Sequence, residues 1–258
     1  MATAHDPNRP GANLTRPQVP AADLAASRRS LRRPVLLQLY ASSVGKKYAM
    51  AITGIVLMLY VLVHMVGNLK LYAGASSLDA YAEWLRTFGE PALPRETILW
   101  AFRAVLIVAF VVHIHAAYAL TRANRNARPE RYAGGRDYVA ADFASRTMRW
   151  SGIIVGLFVV FHLFDLTWGP ANPDFVGGDP YHNVVESFQR WPVALVYVVA
   201  NLALGVHLYH GAWSLFQSMG WSHRRFNHWR RHFAVVFAAL IVAGNVSFPV
   251  AVVTGVVG

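Results

Sequence analysis

The sequence predicts an all-α integral membrane protein with five transmembrane helices. Of its 258 residues, 55% are hydrophobic and only 14% are charged. The apolar residues form five runs of about 19 to 25 residues, each long enough at ~1.5 Å per residue to cross the ~30 Å hydrocarbon layer. Four of these runs contain a histidine at a matched position, and this pattern of histidines carries the functional interpretation.

The predicted spans are approximately residues 48–72, 97–120, 150–168, 192–216 and 233–257. Before them, residues 1–34 are rich in Pro, Ala, Asn and Arg without an apolar period, which predicts a disordered basic tail. A short helix at about 36–42 is expected to lie at the membrane interface. Residues 35–258 are therefore predicted to form one membrane domain, with loops between its spans.

Lys and Arg are distributed very unequally between the two sides of the predicted topology. Nineteen lie in the tail, the second-to-third connection and the fourth-to-fifth connection, whereas four lie in the other connections. Cytoplasmic loops carry the excess of Lys and Arg, so the N-terminus is predicted to be cytoplasmic and the C-terminus external. This topology explains the net charge of +11 better than nucleic-acid binding does.

The chain contains no cysteine. It can therefore form no disulfide, no thiolate metal site, no iron–sulphur cluster and no thioether link to haem. Any cofactor must be held by histidine, by oxygen ligands or by shape.

The four intramembrane histidines fall at two depths. His64 and His162 lie on outward-running helices near the external side, whereas His113 and His207 lie on inward-running helices nearer the cytoplasmic side. The expected offset is ~10 to 15 Å along the helix axes. Two histidine pairs at two levels favour two bis-histidine haems in a four-helix bundle, because neutral imidazoles fill both axial positions of haem iron.

The four histidines also admit other interpretations. A metal ion would need three or four ligands at one level, and isolated histidines also form helix-to-helix hydrogen bonds. A haem-free transporter could use the histidines as a proton relay. Because His115 lies two residues after His113, only one of them can face the bundle.

Three further polar residues are candidates for cofactor contact. His210 is predicted to donate a hydrogen bond to a haem propionate or a neighbouring carbonyl, with simple packing as the alternative. Asp165 could pass protons to a quinone, or it could form an interfacial ion pair with Arg103.

Four strings resemble the membrane-anchor cytochrome b subunit of succinate dehydrogenases and fumarate reductases, in its single-chain, five-helix, di-haem class. They are SVGKKYAMAITGIVLMLYVLVHMVGNL, HIHAAYALTRANRNARP, FHLFDLTWG and LGVHLYHGAWSLFQSMGW. The resemblance extends from Ser43 to the end of the chain, and the last string is its most specific part. A membrane anchor of this class occurs both in complexes that oxidise succinate and in complexes that reduce fumarate, so the resemblance does not give the direction of the reaction.

The resemblance implies two non-covalent b haems, the outer ligated by His64 and His162 and the inner by His113 and His207. The family pattern also favours His113 over His115. It implies a flavoprotein and an iron–sulphur subunit on the cytoplasmic face, a quinone acceptor, menaquinone in most relatives, and a bacterial cytoplasmic membrane. This chain would be a subunit without a dicarboxylate site. The alternative within redox chemistry is a di-haem b subunit of another complex, such as a hydrogenase or formate dehydrogenase.

Overall fold

A computed structural model describes residues 34–127, 139–221, 223 and 227–258. The predicted basic tail falls outside the described residues except for Pro34, and so does the centre of the second-to-third connection. The described segments consist of helices, turns and irregular connections, with no strand among them.

Eight α-helices are described, together with one 3₁₀-helix. The α-helices are α1 (Val35–Ala41), α2 (Ser43–Asn68), α3 (Ala75–Thr87), α4 (Thr97–Asn126), α5 (Val139–Leu166), α6 (Pro180–Gln189), α7 (Trp191–Ser218) and α8 (Asn227–Val253). The 3₁₀-helix, Leu69–Ala73, extends α2. Helices α2, α4, α5, α7 and α8 are long and apolar enough to cross a membrane, which confirms the five predicted spans. The interfacial helix predicted at about 36–42 corresponds to α1.

The connections at the predicted external side differ from the expectation of loops. They contain the amphipathic helices α3 and α6, which Pro- and Gly-rich neighbouring sequence obscured. Pro180 opens α6, where its missing N–H costs nothing. The next two N–H groups, of Tyr181 and His182, donate to the carboxylates of Asp79 on α3 and of Asp179. Helix α3 therefore contributes a cap to α6.

The membrane helices pack as two pairs and one supporting helix. Helix α2 packs on α4 and α5 packs on α7, while α8 lies along α7 and also touches α2. Small residues allow the contacts of α8, because a Cβ on Gly205 would lie 2.4 Å from Val242, and one on Gly244 would lie 2.5 Å from Met65. The side chains on the outer faces are mostly large and apolar, as lipid contact requires.

Helices α3 and α6 cover one end of this bundle. Their apolar faces and the neighbouring chain contribute five buried residues, Leu71, Leu78, Val185, Phe188 and Val257. This layer lies beyond the end of α2 that carries His64, so it covers the outer of the two histidine levels.

Candidate functional site

The structure brings the four intramembrane histidines together in two pairs. The imidazoles of His64 on α2 and His162 on α5 have ring centres 6.0 Å apart. Those of His113 on α4 and His207 on α7 have ring centres 6.4 Å apart. The rings pair as the depth argument expects, and their role as ligands stays a prediction.

Two glycines locate the inner pair along the helices. A Cβ on Gly54 of α2 would lie 3.4 Å from His113 Cε1, and a Cβ on Gly152 of α5 would lie 3.3 Å from His207 Cε1. His64 and His162 each come ten residues after the glycine of their own helix. Ten residues of α-helix span about 15 Å, so both helices independently give the same separation between the levels.

Hydrogen bonds to residues of α2 and α5 orient the two imidazoles of the inner pair. Nδ1 of His113 lies 3.2 Å from the Thr53 hydroxyl and 3.2 Å from the Met50 carbonyl. The Thr53 hydroxyl donates its own proton to the carbonyl of Ala49, at 2.7 Å. It must therefore accept from His113, which places the imidazole proton on Nδ1 and leaves the Nε2 lone pair available to a metal.

His207 is held by the same arrangement. Its Nδ1 lies 3.4 Å from the Ser151 hydroxyl, which donates to the carbonyl of Thr147 at 2.6 Å. Again the hydroxyl oxygen accepts, so Nε2 of His207 is unprotonated and available.

Thr53 and Ser151 were not identified from the sequence, although a signal for them exists. The segments MAITG, residues 50–54, and MRWSG, residues 148–152, repeat one pattern in which a hydroxyl residue precedes the glycine. In each repeat the outer histidine follows that glycine by ten residues and contacts an aromatic ring four residues before it. His64 stacks on Tyr60, with ring centres 5.3 Å apart, and His162 lies against Phe158 at a tilt of 36°, with ring centres 5.8 Å apart.

A buried carboxylate lies behind the outer pair. Asp165 has no exposed surface and accepts hydrogen bonds from Arg190 at 2.7 Å, Ser187 at 2.5 Å and Tyr197 at 2.8 Å. The Tyr197 hydroxyl is also 3.3 Å from His162 Nδ1. The outer pair is therefore connected through one hydroxyl to a buried carboxylate that pairs with a partly exposed arginine.

The predicted alternative of an ion pair between Asp165 and Arg103 is wrong. Arg190, at the start of α7, supplies the cation instead. The guanidinium of Arg103 lies 4.7 Å from the ring centre of Trp100, on its own helix. The i, i+3 spacing brings Arg103 to Trp100 on the surface of α4, whereas Asp165 points into the α6–α7 corner.

The remaining histidine candidates occupy different surroundings. His115 stacks on Tyr40 of α1, and its Nδ1 lies 2.6 Å from the Tyr40 hydroxyl. His210, one turn beyond His207, has its Nε2 3.1 Å from the Thr147 hydroxyl of α5. His115 therefore faces away from the His113–His207 pair. His210 faces α5, as His207 does, and lies one turn further along α7.

The ring-centre distances would allow each pair to ligate one metal ion from opposite sides. With a metal–nitrogen bond of about 2 Å and about 1.1 Å from nitrogen to ring centre, two imidazoles on opposite sides of an ion have centres about 6.2 Å apart. The observed values of 6.0 and 6.4 Å lie on either side of this distance. Within the described residues, no group of three or more His, Cys, Asp or Glu could hold a bare metal ion. A planar macrocycle that supplies the other ligands fits the residues present.

One comparison with known protein families gave a match. A family model described as succinate dehydrogenase/fumarate reductase transmembrane subunit matches residues 121–246, slightly less than half of the chain. The match supports that family. Searches of curated proteins and of solved structures gave no match.

The part matched by the family of succinate dehydrogenase/fumarate reductase transmembrane subunits includes one histidine of each pair. His162 and His207 lie within residues 121–246, as do Asp165 and His210. Their partners, His64 and His113, lie on helices before it. The five apolar helices and the family together support a multi-pass membrane protein.

Gly54→Leu is expected to displace His113 and to lower the haem content, if His113 and His207 hold a haem as the sequence predicts. The Leu side chain would extend into the volume of the His113 ring, which already lies 3.4 Å from the position of a Cβ. The measurement is the haem content of the purified variant. Gly67→Leu is the matched control, because its Cβ would crowd Tyr81, not a histidine. Equal haem loss in both variants would show that general misfolding is responsible.

Proposed function

We propose that this chain is the membrane-anchor and electron-transfer subunit of a succinate:quinone oxidoreductase and holds two b haems. The observation that carries the proposal is the presence of two histidine pairs, each spaced for axial ligation, about 15 Å apart along two helices. The family match supports the choice of complex.

Each residue of the site has a role in this proposal. His64 and His162 hold the outer haem, and His113 and His207 hold the inner one. The Thr53 and Ser151 hydroxyls fix the inner imidazoles with Nε2 unprotonated. When bound, haem supplies a one-electron carrier. His210, one turn beyond the inner ligand His207, would donate a hydrogen bond to a propionate of the inner haem.

The two membrane faces of the protein bind different partners. The basic side, with the N-terminus in the cytoplasm, docks an iron–sulphur subunit and through it a flavoprotein. A chain without cysteine cannot hold an iron–sulphur cluster itself. Quinone, menaquinone in our proposal, receives electrons near the outer level. Arg103 is the candidate for contact with its headgroup. Asp165 accepts hydrogen bonds from three donors, and through one of them, Tyr197, it is connected to the outer ligand His162.

The first experiment is a reduced-minus-oxidised spectrum of the purified full-length chain with a pyridine haemochrome count. We expect two protohaems per chain. Folded but colourless protein would overturn the cytochrome assignment and favour a proton-relay transporter. In the complex isolated through a tag on this chain, succinate is expected to reduce the haems. Reduction by formate or hydrogen instead would assign the chain to another dehydrogenase.

A further inference from the structure

We propose that Tyr197, locked by Asp165, is a positioning residue that fixes the proton of His162 and lowers the midpoint potential of the outer haem. The inference rests on the proposed function, because it concerns a ligand of that haem. Its evidence is a chain of three contacts that begins at the imidazole and ends at a buried ion pair.

The first step is the direction of the hydrogen bonds at the Tyr197 hydroxyl. This oxygen lies 2.8 Å from Asp165 Oδ2 and 3.3 Å from His162 Nδ1. A hydroxyl has one proton to donate, and a carboxylate can only accept. The Tyr197 proton therefore goes to Asp165, and the oxygen accepts the proton carried by Nδ1 of His162. This leaves Nε2 of His162 unprotonated and available to a metal.

The second step is the reason that this direction cannot reverse. Asp165 is fully buried, and Arg190 donates to its Oδ1 at 2.7 Å, so its negative charge is paired. Ser187, also fully buried, shares Oδ2 with Tyr197 at 2.5 Å. Turning the tyrosine proton away would remove one of the two donors to Oδ2 and bring the unprotonated side of the phenol oxygen against a buried negative charge, which is costly.

The third step is the immobility of the tyrosine ring. Tyr197 is only 4% exposed. Its ring makes edge contacts with Phe158 at 4.9 Å, Phe188 at 4.8 Å and Phe161 at 6.1 Å. Three aromatic rings from α5 and α6 therefore hold the hydroxyl between the carboxylate and the imidazole. A water molecule in the same place would have no such constraint.

The consequence concerns the electron affinity of the metal. A hydrogen bond accepted from the free N–H of a ligating histidine makes that histidine more basic. A more basic ligand stabilises the oxidised metal, so the midpoint potential falls. The Thr53 and Ser151 hydroxyls donate to backbone carbonyls, whereas the Tyr197 hydroxyl donates to a charged group, which polarises it more strongly.

The test is Tyr197→Phe in the full-length protein, with both haem potentials measured by redox titration and the low-spin signals followed by electron paramagnetic resonance. The variant keeps the ring and its packing and loses the acceptor. We expect two bound haems, an upward shift of the outer potential and an unchanged inner one. Tyr72→Phe is the matched control, since it removes another interhelical hydroxyl bond, 2.7 Å to Ser247, away from the histidines.

Two bound haems with unchanged potentials in Tyr197→Phe would overturn the proposal and leave the cytochrome assignment intact. If this variant fails to retain both haems, the double variant Asp165→Asn with Arg190→Gln decides the question, because it leaves no unpaired cation and no change of net charge beside the outer site. It preserves the Tyr197 hydroxyl but removes the carboxylate charge that polarises it, so the outer potential is again expected to rise. An unchanged potential there would equally overturn the proposal. A wild-type protein without haem would instead refute the proposed function.

Discussion

Replacing either His64 or His162 by alanine is expected to reduce the haem content from two to one per chain. The same loss is expected for His113 or His207, because each proposed haem would be held by imidazoles from two helices. The pyridine haemochrome count gives the stoichiometry. Redox titration then identifies which potential has disappeared, and so assigns the outer and inner haems.

Double variants make this result specific to the pairing. His64→Ala with His162→Ala removes two ligands of one proposed haem, so one haem should remain. His64→Ala with His113→Ala removes one ligand at each level, so neither should remain. His115→Ala is the control within the same helix and should retain both, because His115 contacts Tyr40 outside the pair. One remaining haem in the second double variant would contradict the two-level arrangement.

Asp165→Ala is expected to be the most destabilising exchange outside the histidines. It removes the carboxylate partner of the Arg190 guanidinium, which keeps only its bond to the Ala171 carbonyl among its described contacts, and leaves the buried hydroxyls of Ser187 and Tyr197 without their acceptor. Removing one partner of a fully buried ion pair costs about 3 to 5 kcal/mol, and because the Arg190 side chain is 29% exposed the loss is expected at the lower end, about 3 kcal/mol. The free energy of unfolding, measured by denaturant titration in mixed micelles, should fall by this amount.

Two further variants distinguish the loss of the Asp165–Arg190 ion pair from the loss of any negative charge. Adding Arg190→Met to Asp165→Ala removes the unpaired cation, so part of the lost stability should return. Glu83→Gln breaks the exposed ion pair with Arg95, 2.7 Å long, at the same end of the molecule. Arg95 lowers the pKa of Glu83, but water and salt screen this contact, so no measurable loss is expected. Equal losses for Glu83→Gln and Asp165→Ala would contradict the role of burial.

The five spans and the two histidine levels followed from the sequence alone. Membrane thickness requires helices of a known length, and the constant rise of a helix converts residue numbers into depth. His64 and His162 could thus be placed at one level, and His113 and His207 at another, without any knowledge of neighbours. The exclusion of cysteine ligands and the predicted topology likewise need no knowledge of tertiary contacts.

The amphipathic helices α3 and α6 were not predicted. Each is short and has only one apolar face, so its stability depends on packing over the ends of the membrane helices. The N–H of Tyr181 finds its acceptor, Asp79, more than a hundred positions earlier in the chain. A capping contact of this kind leaves no local signal in the sequence.

The partners of the site residues were decided by tertiary structure. Asp165 could be placed near the outer level, but the choice of Arg190 over Arg103 depends on how α5, α6 and α7 rotate and meet. The same holds for the bonds from His162 to Tyr197 and from His113 to Thr53. Depth along a helix is a local property of one segment, whereas the rotation of one helix against another is set by the packing of all of them. The sequence therefore determined which residues share a level, and only the fold decided which atoms meet there.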